Sequence, residues 1–421
     1  MFKKATALYL TLVILIDFMG VATVVTLFPH LLIGPHSLFP SGWSSKDQLS
    51  MMGVVLAIYP LGQFFGASLF GKLSDHYGRK QIMFLTLLGT CFGFLLSAIS
   101  IDIASAALLF MSRLIAGLCA GNVAIAQASL IDVSRNEAEK TRNISYGQIA
   151  MGSAYIVGPV LGALLSQKSL ISWFSASTPF WFFTIVLVLL IIATKIFYHE
   201  TLLVKKEKTI QFFNIFQNMK SSFCNKSLKN ALIVWMIFVT GWWLFESYMP
   251  TYLFKAMHFN TLQIGCLLAF NGALYSLFQY AVVQRLAKKL SPKTMVRISL
   301  WLAGVAIISV IWMRSVILLY TSMSVFVVAM GFAIPGLITC ISNLSDAQEQ
   351  GKIMGVVNSI QALSTVIVML CGGYIDSLKI SITVFFGGLL VIASWVAFIQ
   401  FFGIKNNMQT QMAESVVVNH E

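Results

Sequence analysis

The stretch Gly71-Lys72-Leu73-Ser74-Asp75-His76-Tyr77-Gly78-Arg79-Lys80 stands between two long apolar runs, about 49–70 and 81–100. It carries one carboxylate, three permanent cations and a histidine. A segment so short and charged, between runs long enough to cross hydrocarbon, is expected to be a loop where two membrane helices turn back through water.

Composition agrees. Of 421 residues, 58% are hydrophobic and only 10% charged, against about 25% charged in a soluble domain. At a mean hydropathy of +0.83, the chain has too little polar surface to cover one water-soluble core. Apolar runs of about 20 residues, the length a helix needs to cross a bilayer, recur along it. They fall at about 8–32, 49–70, 82–100, 105–132, 143–166, 178–198, 229–252, 262–284, 295–313, 316–342, 353–375 and 380–403. Lipid admits only helices or closed barrels, and these runs are too long and too unalternating for barrel strands. The expected fold is all-α and polytopic, with twelve transmembrane helices.

The net charge of +13 does not call for nucleic acid, because topology accounts for it. With a cytoplasmic N-terminus and alternating spans, 22 of the 28 Lys and Arg residues fall on the cytoplasmic side, five opposite, and Arg113 within a span. That is the positive-inside distribution, expected for the inner (cytoplasmic) membrane with both termini in the cytoplasm. The first run begins basic, but it is too long for a secretory signal and lacks a clear cleavage site, so a retained helix is expected. The six cysteines have no metal-type spacing and five lie in spans, which argues against a disulfide framework.

The polar stretch 199–228, a central cytoplasmic loop, separates an N-terminal six-helix bundle (1–198) from a C-terminal one (229–404). Residues 405–421 read as a disordered cytoplasmic tail. A faint repeat joins the halves: Gly20 precedes Pro29 by nine residues in span one, as Gly241 precedes Pro250 in span seven. Such a repeat suits bundles related by an axis along the membrane normal.

The decapeptide's pattern, a glycine, an acid four residues on, then Gly78-Arg79-Lys80, resembles the loop 2–3 signature of the major facilitator superfamily of transporters. In span four, Leu109-x3-Arg113-x3-Gly117-x3-Gly121 is similar to that family's motif, with Ala116 for a usual glutamine and Cys119 for a usual glycine. Asp132 takes the place of a commonly acidic residue at the inner end. Gly158-Pro159-Val160-Leu161-Gly162 in span five is similar to the motif of the exporting, antiport branch. Glu200-Thr201-Leu202 resembles the end of span six in twelve-span drug:proton antiporters. Pro335-Gly336, Ser342, Gln350-Gly351, Gly355 and Ser359 resemble tetracycline efflux proteins. The resemblance implies the major facilitator fold and alternating access. It also implies that Gly71, Asp75, Gly78, Arg79, Lys80 and Asp132 latch the halves on the cytoplasmic side in the outward-facing state.

Physical chemistry supplies a reason for these motifs. The glycine pairs Gly117/Gly121 and Gly158/Gly162 let helix backbones approach where lipid offers no hydrophobic drive. Gly66 and Gly71 are expected to do the same at the end of span two. Pro159 removes a backbone hydrogen bond and bends span five into a hinge. Asp75 suits the N-terminus of a second-half helix, span eleven, and Arg79 is placed to pair with Asp132.

An ionised group at mid-bilayer costs at least ~2.5–3.5 kcal/mol, so Asp17 (span one), Arg113 (span four) and Glu246 (span seven) are expected to be functional. A carboxylate facing a cavity that opens alternately to two sides loads and releases a proton as its surroundings change. Asp17 and Glu246 are therefore the proton-coupling candidates, with Arg113 as modulator or anion contact; a static interhelical ion pair is the alternative. Trp242, Trp243 and Asn271 lie deep enough to line a substrate cavity suited to a flat, amphipathic organic molecule. His30 and His36 lack a third metal ligand. Spans three and nine hold no acid, whereas tetracycline efflux proteins carry acids there, so tetracycline–metal exchange is the less favoured substrate.

The chain has no Gly-x4-Gly-Lys-Ser/Thr, His-Glu-x-x-His or Gly-x-Ser-x-Gly, hence no sign of ATP-driven or enzymatic chemistry and no cofactor to expect. The expected function is secondary transport: proton-coupled export of a small organic molecule, drug-like or a metabolite such as a siderophore, by a monomer in the lipid bilayer. Proton-coupled uptake of a nutrient such as an amino acid, and a transport-dead receptor or scaffold, are the alternatives.

Overall fold

The computed structural model describes residues 2–34, 37–40, 42–134, 137–202, 223–224, 226–279, 290–313, 315–344, 350–379 and 381–418. The first half holds α1 (Phe2–Leu32), α2 (Ser45–Tyr77), α3 (Arg79–Asp102), α4 (Ala106–Cys119), α5 (Asn122–Asp132), α6 (Glu137–Leu165) and α7 (Thr178–Phe197). The second holds α8 (Lys226–Ala256), α9 (Thr261–Phe278), α10 (Pro292–Ser309), α11 (Val316–Ser342), α12 (Gln350–Leu378) and α13 (Ile382–Val418). Among the described residues, twelve helical stretches are long and apolar enough to cross a membrane, α4 and α5 together forming one of them. The fold is all-α and polytopic, as expected. In the first unit the end at which α1 begins is the near end and the opposite one the far end.

The loop expected over Gly71–Lys80 is not there. α2 stays helical through Tyr77 and α3 begins at Arg79, leaving only Gly78 between them, at φ +117° and ψ 149°. That backbone region is essentially closed to residues with a side chain, so glycine alone allows a one-residue connection. At its other end α2 opens with a capping box. Ser44 Oγ accepts from the Asp47 N–H at 3.3 Å, and the Asp47 carboxylate accepts from the Ser44 N–H at 3.1 Å.

Two further differences concern helix ends. Span four, read as one run, is broken at Ala120–Gly121 into α4 and α5. The stretch expected as a disordered tail continues α13 as far as Val418; the run Met408–Glu414, with Met, Gln, Ala and Glu at six of its seven positions, is made of good helix formers. The central stretch over 203–222, and the basic segment 281–289 after span eight, lie outside the described residues.

Contacts divide the chain into two compact units. The first takes in Met1–Phe212, Ser247–Ser276 and Thr365–Ile380; the second takes in Phe213–Glu246, Leu277–Ser364 and Ser381–Glu421. The division departs from a cut at 199–228 because the far ends of α8, α9 and α12 pack on the first six spans. A Cβ on Gly53 of α2 would lie 2.6 Å from the Met369 carbonyl and 3.0 Å from Gly373 Cα of α12. The Tyr248 hydroxyl of α8 donates to that same carbonyl at 2.6 Å. On α9, Gly265 meets the Pro159 carbonyl at 2.8 Å from its Cβ position.

Within the first unit α1 packs on α6, α2 and α3 pack on α4, and α3 packs on α7. The broken span four is wedged against α2. Gly117 abuts the Tyr59 carbonyl, Gly66 abuts the Leu118 carbonyl, and a Cβ on Gly121 would lie 2.8 Å from Phe70 Cβ. Gly71 corrects an expectation: a Cβ there would meet open space, because α2 has by then run past the break, so it mediates no close approach. In the second unit α10 packs on α11 and α13, and Gly241 faces the Gly387 carbonyl, 2.7 Å from its Cβ position.

Candidate functional site

Asp17 lies in the middle of α1 and is 6% exposed. Asn122, the fully buried first residue of α5, donates from Nδ2 to Asp17 Oδ1 at 2.9 Å. The Asn122 carbonyl in turn accepts from the Val123 N–H at 2.9 Å. Tyr59 of α2 stands within the fields of Asp17, Arg113 and Tyr155, and the Phe18 and Tyr155 rings approach to 5.9 Å between centroids. The first unit thus has a polar centre drawn from α1, α2, α4, α5 and α6.

Arg113 is buried, and its guanidinium lies over the rings of Phe94 and Phe180, at 5.1 and 5.6 Å from their centroids. One terminal nitrogen donates to Ser97 Oγ, while Nε is buried without a hydrogen-bond partner. Among the described residues neither Asp17 nor Arg113 belongs to an ion pair, so aromatic faces rather than a carboxylate hold this cation.

Glu246, partly exposed in the second unit, accepts a hydrogen bond from the Trp242 indole one turn earlier. Trp242 stacks on Trp243 at 5.3 Å, and the Trp243 indole nitrogen is buried with no hydrogen-bond partner. In the first unit the Asn271 side-chain oxygen is likewise buried and unmatched. Each of these atoms, taken within its own unit, is one that a polar ligand can satisfy.

At the near end of the first unit the signature residues form a hub. Arg79 is buried and reaches Asp75 at 2.7 Å, Asp132 at 3.1 Å and Ser74 Oγ at 2.7 Å. Ser74 Oγ donates to the Gly71 carbonyl at 2.6 Å. Glu200, just beyond α7, caps α3: its carboxylate accepts from the backbone N–H groups of Arg79 and Lys80 at 2.9 and 3.1 Å. The same group accepts from Thr201 and Leu202, both at 3.0 Å. Anionic charge at a helix N-terminus is favourable. The Lys80 ammonium donates to the Lys195 carbonyl at 3.2 Å. Tyr198 stacks on Tyr9 at 5.4 Å and shares a 2.6 Å hydrogen bond with Ser129; burial pushes its phenol up to about 12.

Span five's motif is gripped on two faces. A Cβ on Gly158 would lie 2.8 Å from the Met19 carbonyl of α1, and one on Gly162 2.5 Å from Thr23 Cγ2. Thr23 Oγ1 donates to the Gly158 carbonyl at 2.8 Å. Pro159, within α6, turns its carbonyl to Gly265 of α9.

Asn122 and Asp376 carry no signal in the sequence, and Glu200, part of a motif there, has partners that the motif does not show. Asn122 is a neutral amide inside an apolar run, and Glu200 is a cap 121 residues from the helix it serves. Asp376, 1% exposed, lies one residue past the apolar run of span eleven; its field reaches Tyr248 and Lys255.

Twelve spans, acids buried within them and the near-end hub define a secondary transporter. The chain belongs to the Major Facilitator Superfamily, whose family profile matches residues 10–369. It is a multi-pass membrane protein. The tetracycline resistance protein of class H from Pasteurella multocida is 29% identical to it over 392 residues, which is 90% of each chain. The human organic anion transporter MFSD10 shares its fold at a TM-score of 0.69 and 19% identity, over 94% of this chain and 99% of the other. A D-xylose-proton symporter does so at 0.75 and 14%, over 95% and 98%.

Proposed function

We propose that this protein exports a small organic molecule in exchange for protons, with Asp17 as the principal proton carrier and Glu246 as a second candidate. The observation that carries the reading is Asp17 itself: an acid buried in span one whose hydrogen-bond partner is a neutral amide. Among the described residues no cation pairs with it, so its charge answers to hydration, and hydration is what alternating access changes. The antiport-type motif of span five and the likeness to a tetracycline resistance protein support export; that likeness puts tetracycline in the test panel, while the lack of acids in spans three and nine favours another drug-like amphiphile. The Asp75–Arg79–Asp132 hub acts as the near-end latch, and the near end, with both termini, faces the cytoplasm of a cell whose inner membrane holds the protein as a monomer.

Purified protein in liposomes loaded with a pH-sensitive dye tests this. Magnesium–tetracycline, then a panel of cationic drugs and siderophores, is added on one side. Proton movement with one compound, absent from Asp17→Asn, is the expected result. Proton movement that survives in Asp17→Asn would remove Asp17 from the mechanism, and silence across the panel would count against export of this class.

A further inference from the structure

Span four breaks at Ala120–Gly121, and the residue after the break, Asn122, meets Asp17. We propose that Asn122 is a positioning residue that sets how tightly Asp17 holds its proton, by offering a donor that cannot become an acceptor. A primary amide ordinarily serves both forms of a carboxyl group: its NH2 donates to the anion, and its carbonyl accepts from the neutral acid. Here that choice is removed. The Asn122 carbonyl is engaged by the Val123 N–H at 2.9 Å while Nδ2 faces Asp17 at 2.9 Å. Turning the amide over would set its NH2 against the Val123 N–H, two donors facing each other.

The break creates this arrangement. Val123 N–H is among the first four of α5, which have no carbonyl one turn back within their own helix, so it takes the side-chain oxygen instead. The break is also held in place, since Gly117 and Leu118 touch α2 backbone-to-backbone at Tyr59 and Gly66. Asn122 therefore favours the charged form of Asp17: the neutral acid still accepts from Nδ2 through its carbonyl oxygen, but more weakly, and Asn122 offers no acceptor for its O–H.

Other titratable groups around Asp17 do not duplicate this role. Tyr59 of α2 lies within the field of Asp17, and Arg113 of α4 and Tyr155 of α6 act on Tyr59 in turn. α7 contributes only Lys195, in its last turn, and α5 only Asp132, its last residue. Among the described residues Asn122 alone gives Asp17 a hydrogen bond.

The inference rests on the reading that Asp17 titrates, but its test needs no transport. Dicyclohexylcarbodiimide reacts with neutral carboxyl groups in apolar surroundings. The full-length protein in liposomes is labelled across about pH 5–9, a range spanning ordinary to strongly perturbed carboxyl groups. The yield on Asp17 is read by mass spectrometry for the parent, Asn122→Ala and Asn122→Ser. Loss of a hydrogen bond to a charged group should displace the half-labelling pH upward by about one to two units in Asn122→Ala. Asn122→Ser, whose hydroxyl can donate or accept, should fall between, and it decides alone if the alanine variant does not fold. One half-labelling pH for all the proteins, or a yield on parental Asp17 that does not vary with pH, would overturn the proposal. A silent transport assay with an intact displacement would sink the proposed function and leave this inference standing; the reverse pattern would do the opposite.

Discussion

Replacing Gly78 with alanine strains the one-residue connection between α2 and α3 in two ways. At φ +117° and ψ 149° the backbone lies where glycine alone is comfortable, and holding another residue there costs about 1–3 kcal/mol. The new methyl would also stand 2.5 Å from a Glu200 carboxylate oxygen, so the carboxylate must move. If it leaves, the Arg79 and Lys80 N–H groups lose a cap worth about 0.5–2 kcal/mol. The combined loss of about 2–5 kcal/mol, in a bundle of roughly 200 residues, lowers the melting temperature by about 5–15 °C. Differential scanning fluorimetry of the purified protein reads this directly. Glu200→Ala, which removes the cap and leaves the glycine, should lose about 1–2 kcal/mol. The double variant should lose less than the sum, because the clash disappears with the carboxylate. A Gly78→Ala melting point within about 1 °C of the parent, or strictly additive losses, would refute the account.

Arg79→Ala takes a donor from Asp75, Asp132 and Ser74 together, and a loss of about 2–3 kcal/mol is expected. Arg79→Lys should recover only part, because an ammonium lacks the planar fork that serves three partners; equal unfolding temperatures for the two variants would contradict this. Gly373→Ala would set a methyl 2.6 Å from the Leu49 carbonyl and 2.9 Å from Gly53 Cα, wedging the far end apart. Maleimide labelling of a cysteine placed at Met52, fully buried here, should then rise by about an order of magnitude.

The helices were legible because lipid leaves so few options: a run such as 316–342, uncharged and mostly apolar, is expected to be a helix crossing it. Side-chain pairing was legible only where a motif supplied it, as for Arg79 with Asp132. What the sequence hid was decided by backbone. Gly78 was read as part of a loop because charge suggested water, while φ, which sets the turn, leaves no trace in composition. Gly117 and Gly121 stand against α2, yet the break in span four leaves no mark in their spacing. Asn122 had no signal at all, since an amide's importance lies in which atom faces which neighbour. The same holds for Glu200, whose motif was recognised and whose partners, the N–H groups of α3, were not.

The seam at the far end closes through glycine backbones, a phenol on a carbonyl and the Lys255 ammonium on the Ser45 hydroxyl. Contacts of that kind are short in range, and dissolved salt, which screens charges over about 8 Å at physiological strength, leaves them untouched. The hub at the near end is the opposite sort of object, a guanidinium among carboxylates with a carboxylate on a helix terminus. Among the described residues of the first unit, ionic strength therefore acts mainly on the near end: added salt slackens the hub more than the far-end seam, where the Asp376–Lys255 attraction is the exception.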